Sequence, residues 1–113
     1  MLEMITAIIK PHQLDDVKEA LLAAGVEGMT VTEVRGFGRQ RGKTENFRGS
    51  EYKIDFVPKV RLEIVVNAAD TDRLVTLIGD SARTGKIGDG KVWTTPIGQL
   101  LRVRTAETGT EAI

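Results

Sequence analysis

The chain has 113 residues, which suits one domain with a modest core and favours self-association as a way to bury more surface. Sixteen basic residues balance sixteen acidic ones, which argues against a general nucleic-acid or membrane coat and leaves only a local basic patch. There is no cysteine and a single histidine, His12; disulfides, thiol catalysis, iron–sulfur clusters and the usual zinc sites drop out, while oxygen-ligated magnesium stays open.

Met1 to Lys10 alternates Ile5, Ala7 and Ile9 against Thr6 and Ile8, which predicts a strand stopped at Pro11. From Gln13 the period changes. Leu14, Val17, Leu21 and Ala24 share a face opposite Asp15, Asp16, Lys18 and Glu19, predicting an amphipathic helix capped by Gly25. Met29 to Arg35 is β-branched and alternating, a second strand. Periodicity disappears from Gly36 to about Ile54. It returns in a third strand at Val60, Leu62, Ile64 and Val66. A second helix carries Leu74, Val75, Ile78 and Ala82 on one face, with Asp70 or Thr71 as its cap. Thr84 to Gly90 reads as a glycine-rich loop. Lys91 to Trp93 and Leu100 to Val103 read as short strands, followed by a polar tail. No apolar run approaches membrane-spanning length and no signal peptide is visible, so a cytoplasmic protein is expected.

This order, βαββαβ, predicts a single α+β domain over 1–113: a ferredoxin-like antiparallel sheet with both helices on one face. The second face keeps apolar positions, which predicts a partner subunit.

Three stretches can carry chemistry. The first is the long connection between strands two and three. From Arg35 to Arg61 it holds eight basic residues against three acidic ones, with glycines 36, 38, 42 and 49 freeing backbone N–H groups to face an anion. A solvated hairpin is the plainer alternative. The second is Thr84-Gly85-Lys86-Ile87-Gly88-Asp89-Gly90-Lys91. Gly85 to Lys91 has P-loop spacing, but Val92 stands where a hydroxyl is needed and a strand follows where a helix is needed, so it is no Walker loop. Three close glycines beside Lys86 and Lys91 can still hold phosphate, or simply make a tight turn. The third is Arg102 and Arg104, two apart on a predicted strand and so on one face. They can grip a triphosphate, or decorate an edge with salt bridges. His12 reads as a surface residue, and Trp93 as core or interface packing.

Together these stretches resemble the nitrogen-regulatory PII signal-transduction family. The likeness covers nearly the whole chain: Ile8-Ile9-Lys10-Pro11, Thr30-Val31-Thr32-Glu33-Val34, Gly36-Phe37-Gly38-Arg39-Gln40, Arg48-Gly49-Ser50-Glu51-Tyr52, Pro58-Lys59-Val60, the 84–91 loop and Arg102-Val103-Arg104-Thr105. Lys91-Val92-Trp93 and Lys10-Pro11-His12 look actinobacterial rather than enteric.

The resemblance implies a homotrimer whose subunits each project a T-loop, about 37–55, with a B-loop at 84–91 and a C-loop at 105–113. It implies ATP or ADP in clefts between subunits, and 2-oxoglutarate with Mg-ATP at the T-loop base. On this reading Gly38, Arg39, Gln40, Thr84, Gly88, Asp89, Gly90 and Lys91 meet the nucleotide, with Arg102 and Arg104 reaching over from the neighbouring subunit. Lys59, with Arg39, Gln40 and Arg41, would hold 2-oxoglutarate, and Gln40 would ligate magnesium. The implied partners are an ammonium transporter, which would recruit the protein reversibly to the inner face of the membrane, a nucleotidylyltransferase and other nitrogen-assimilation regulators, without nucleic acid. Arg48 would enter the transporter. Tyr52 would be the nucleotidylylation site, with Ser50 as a rival phosphorylation site. The loop is expected to be mobile without ligand. Three residues depart from the family pattern: Lys43 and Phe47 on the T-loop, and Ala106 where glycine is usual. Thr94 is more polar than the usual strand residue.

Two other classes compete with a metabolite sensor. A small ATPase would need a base, and only Asp89 and Glu63 are near by sequence. An RNA-binding module shares the element order, but aromatics are 4% of the chain and Val60 to Val66 has none on which a base could stack.

Overall fold

The computed structural model describes residues 1–38, 46–47, 50–51 and 56–113. Strand β1 (Leu2–Ile9) ends as the sequence requires, because Pro11 opens a 3-10 turn at a place where its missing N–H costs nothing. Helix α1 (Leu14–Ala23) buries Val17 and Leu21 and packs Leu14 on the core. It closes in a Schellman turn: Gly25, at φ 94°, donates to the Leu22 carbonyl at 3.1 Å, and Val26 to that of Leu21 at 3.0 Å.

Strand β2 (Thr30–Gly36) follows, then two-residue strands β3 (Asn46–Phe47) and β4 (Ser50–Glu51) that pair with each other. Strand β5 (Val57–Asn67) is longer than the alternation in 60–66 implied. Its Pro58 is tolerated because β5 has only β2 beside it there; pairing with β1 begins at Val60. Helix α2 (Thr71–Ala82) buries Leu74, Ile78 and Ala82. Neither Asp70 nor Thr71 caps it through a side chain. A 3-10 turn, Ala68–Asp70, intervenes, and Asn67 caps that turn by accepting from the Ala69 N–H at 3.2 Å. The Thr71 hydroxyl instead donates to Glu3 Oε1 at 2.7 Å.

Strand β6 (Gly90–Ile97) replaces the short strand expected at Lys91 to Trp93. Leu100 to Val103 is not a strand; Leu101 makes one isolated bridge to Thr108. Arg102 and Arg104 therefore lie at a turn rather than on one strand face. The alternation there was too short to separate a strand from a turn, and the bridge closes back on the chain's own tail.

The sheet order is β2-β5-β1-β6, with every neighbouring pair antiparallel. Each helix connects two strands that flank a third, the split βαβ arrangement expected from the element order. Ile5, Ala7 and Ile9 of β1 stand opposite Ile64, Leu62 and Val60 of β5, and this face meets both helices. Each of these isoleucine, leucine and valine side chains stabilises the fold by roughly 1.5–3 kcal/mol. The other face carries Leu2, Met4 and Ile8 of β1, Val65 of β5 and Trp93 of β6, and among the described residues neither α1 nor α2 covers it. Trp93 remains 42% exposed, so it is not a core residue.

The turn at 102–107 stores strain. Ala106 sits at φ 60°, and it alone among the described non-glycine residues has positive φ. It donates to the Arg102 carbonyl at 2.8 Å. A left-handed alanine costs about 1–2 kcal/mol. Glycine would remove that but add about 0.5–1 kcal/mol of unfolded-state entropy. Ala106→Gly is therefore expected to stabilise the protein by up to about 1 kcal/mol, read as a raised midpoint in guanidinium unfolding.

Candidate functional site

Three chain segments converge at the Ile9 end of β1. Gly36 of β2 pairs with Val57 of β5, and Gly90 of β6 pairs with Ile9, which brings the end of the glycine loop beside the base of the 39–55 segment. Between them lies a cleft of about 410 Å³. Gly38, Lys59, Gly88, Asp89, Gly90 and Lys91 line it, so six residues expected to meet ligand are together. Ile8, Gly36, Phe37, Val57 and Trp93 complete the wall. Their role was not legible in the sequence, because it depends on register between strands. Phe37 and Phe56 meet edge to face, ring centres 6.3 Å apart, across the base of the segment. Arg39, Gln40, Arg41, Lys43, Arg48 and Tyr52, with the side chains of Phe47 and Ser50, lie outside the described residues.

Gly90 is there for space. Its φ is 105°, and a Cβ would fall 1.7 Å from the Ile8 carbonyl oxygen. Gly85 and Gly88 also take positive φ, at 84° and 90°.

Lys59 is buried and its ammonium donates to the Gly88 carbonyl. Burial, with Lys10 nearby, pushes its pKa below the ordinary lysine value, and Asp89 partly offsets this. Asp89 accepts from the Thr84 hydroxyl, from the N–H groups of Thr84 and Gly85 at 2.8 Å each, and from Lys10 Nζ at 3.3 Å. The Thr84 hydroxyl, then the two N–H groups and Lys10, hold its carboxyl well below the usual carboxylate range. A carboxylate held this acidic is a poor general base, which weakens the ATPase alternative.

Arg102 and Arg104 are not in this cleft. Arg102 donates to Glu107 Oε1 at 3.1 Å and to the Ile113 main-chain oxygen at 2.5 Å, while Arg104 is exposed. Ile113 lines a second cleft of about 580 Å³, with Met29, Thr30, Glu63, Val65 and Leu100. The two clefts lie toward opposite ends of β5, one at Lys59 and the other reaching Asn67. His12 is exposed, as expected. Among the described residues no group of three or more His, Cys, Asp or Glu side chains could hold a metal.

The fold and the first cleft define a small ferredoxin-like α+β protein whose glycine loop and two lysines, Lys59 and Lys91, meet in one cleft. Residues 2–107 match the family described as Nitrogen regulatory protein P-II. The chain is similar to the Nitrogen regulatory protein P-II of Nostoc punctiforme, 53% identical over 99% of this chain and all of that one. It is likewise 51% identical to that of Azospirillum brasilense, with the same coverage. Its structure is similar to one described as Arabidopsis thaliana PII bound to citrate, with TM-score 0.82 and 38% identity over 99% of this chain and 92% of that one. The chain belongs to the nitrogen regulatory P-II family.

Proposed function

We propose that this P-II protein senses ATP or ADP together with 2-oxoglutarate, and signals through the 37–55 segment to proteins of nitrogen assimilation. The observation that carries the reading is the meeting of Lys59, Lys91 and the Gly88–Gly90 backbone in one cleft at the base of that segment. Backbone donors and Lys91 suit a phosphate chain, and Lys59 beside them suits a carboxylate. The citrate described with the Arabidopsis relative, itself a carboxylate, agrees with that ligand class. Magnesium would be held by phosphate oxygens, the keto acid and Gln40, an oxygen set that suits the ion; the described residues offer no carboxylate cage. Calorimetry with ATP, ADP and 2-oxoglutarate, each with and without magnesium, tests this. 2-Oxoglutarate is expected to need both ATP and magnesium, with a coupling of about 1–3 kcal/mol or more. Equal 2-oxoglutarate binding without ATP refutes the shared site.

The separation of the two clefts supports a homotrimer whose nucleotide sites lie between subunits. Arg102 and Arg104, which lie outside the Lys91 cleft of their own subunit, would approach the glycine loop of a neighbour and meet the same nucleotide. The open sheet face, with Trp93 upon it, supplies apolar surface for such contacts. Mixing Lys91→Ala chains with Arg102→Ala chains is expected to restore some ATP sites in hybrid trimers. A monomer in light scattering that binds ATP tightly would contradict the arrangement.

The protein would act in the cytoplasm; among the described residues no helix is long and apolar enough to cross a membrane. Docking of Arg48 on an ammonium transporter, favoured by ADP and released by Mg-ATP with 2-oxoglutarate, belongs to the same reading. So does nucleotidylylation of Tyr52, or phosphorylation of Ser50, which would add bulk and negative charge to the docking segment. Intact-mass measurement on protein from nitrogen-starved cells is expected to show a nucleotidyl adduct on Tyr52. An unmodified chain would leave Tyr52 as a contact residue only.

A further inference from the structure

We propose that Lys10 is a positioning residue for nucleotide: with Asp89 it forms a charge-neutral clasp that presets the glycine loop and cancels a negative charge inside the phosphate site. The proposal rests on the nucleotide reading above. Lys10 follows β1 and is 74 positions from Thr84 in the chain, yet its Nζ lies 3.2 Å from the Thr84 hydroxyl oxygen and 3.3 Å from Asp89 Oδ1. Its side chain is only 10% exposed, so the ammonium is committed to this loop rather than to solvent.

The loop's two ends are already fixed. Ala82 is buried at the end of α2, and Gly90 is paired with Ile9. What remains free is the interior, where Gly85 and Gly88 admit many conformations. Asp89 selects one by drawing the Thr84 and Gly85 N–H groups and the Thr84 hydroxyl onto its own oxygens. The Thr84 hydroxyl also accepts from the Lys86 N–H at 3.2 Å, which extends the closed ring by one residue. The Asp89 carboxylate therefore orders the loop from within instead of meeting ligand.

That order carries an electrostatic cost. An ionised carboxylate beside the cleft repels the phosphate chain that Gly88, Gly90 and Lys91 would cradle. Lys10, in direct contact with the carboxylate, offsets the repulsion. Lys10 is itself buried, and Lys10→Met keeps an unbranched side chain of similar length in its place.

The test is ATP calorimetry on the full-length chain and on four variants: Lys10→Met, Lys10→Arg, Asp89→Asn, and Lys10→Met with Asp89→Asn. Lys10→Met is expected to weaken ATP about tenfold or more, and Lys10→Arg about threefold at most, since it restores the charge. The double variant, with no charge left to cancel, is expected to recover most of the loss, to within about threefold of the parent chain. A Lys10→Met chain that binds ATP as the parent does, or a double variant no better than Lys10→Met, overturns the proposal. If the parent chain binds neither ATP nor ADP, the nucleotide reading fails, and the clasp is judged by hydrogen exchange alone. The Thr84 and Gly85 amides are then expected to exchange about tenfold faster in Lys10→Met than in the parent. Equal exchange overturns it.

Discussion

Gly90→Ala is expected to be the most damaging single-methyl change in the described part of the molecule. The added Cβ would stand 1.7 Å from the Ile8 carbonyl oxygen and 2.8 Å from its carbon, and both are backbone atoms that cannot swing aside. The φ of 105° adds a conformational penalty for any L side chain. Relief requires β6 to separate from β1 at the Ile9–Gly90 pair, the point that delivers Lys91 and the glycine loop to the cleft. A loss of about 3 kcal/mol or more is expected in guanidinium unfolding. ATP binding should disappear even under conditions where the chain stays folded. By contrast Gly85→Ala, where no atom lies within 4 Å of the new Cβ, should cost only its left-handed penalty of about 1–2 kcal/mol. A Gly90→Ala protein as stable as the Gly85→Ala protein would show that β1 and β6 do not pair closely at this point.

Lys59→Ala should reduce 2-oxoglutarate affinity by about ten- to a hundredfold, since a charge-assisted bond to a carboxylate contributes about 1.5–3 kcal/mol. Nucleotide binding should survive but weaken modestly, because the Lys59 ammonium also holds the Gly88 carbonyl of the glycine loop. The pH dependence follows from the direction of the shift. Burial lowers the Lys59 pKa in the folded protein, so the ammonium is lost at a lower pH than in the unfolded chain, where the ordinary value is 10.5. The protonated form is the disfavoured one in the fold; raising pH through the folded pKa therefore relieves a penalty on stability. It also removes the charge a carboxylate needs. Affinity for 2-oxoglutarate should thus begin to fall at a pH below 10.5, while the fold gains rather than loses stability from this group. The Lys59→Ala chain should lack this alkaline effect on stability. An affinity unchanged by Lys59→Ala would place the keto acid elsewhere.

Asp89 shifts in the same direction, so stability again rises with pH, but here the charged form is the one the fold favours. Its folded pKa is depressed, so its contribution is complete above the unfolded value of 3.8 and fades as pH falls below it. The two groups therefore set different ends of the pH range, although both reach the same loop.

Much of this was legible in the chain because it is local. The 3.6-residue period of Leu14, Val17 and Leu21, the alternation around Leu62 and Ile64, the stop at Pro11 and the glycine after Ala24 each report how a few consecutive residues divide between core and solvent. Those patterns suffice for βαββαβ and for the split sheet. The lysines and glycines of the cleft were legible as types and as spacings that the P-II resemblance could interpret. The ends of elements were less so. Asp70 holds the N-cap position of α2 without a side-chain bond, and the side-chain cap falls on Asn67 at the start of a 3-10 turn that the helical period does not register. Leu100 to Val103 imitates a strand, but β1 already has β6 on that side and gives those residues no strand to join. The tertiary structure alone decided that Lys10 and Asp89 meet, that Lys59 reaches the Gly88 carbonyl, and that Arg102 lies outside the cleft lined by Lys91, bonded to Glu107 and Ile113. Each of these depends on strand register and on which strands become neighbours. They follow from the packing of the whole sheet against two helices, and no local stretch of residues encodes them.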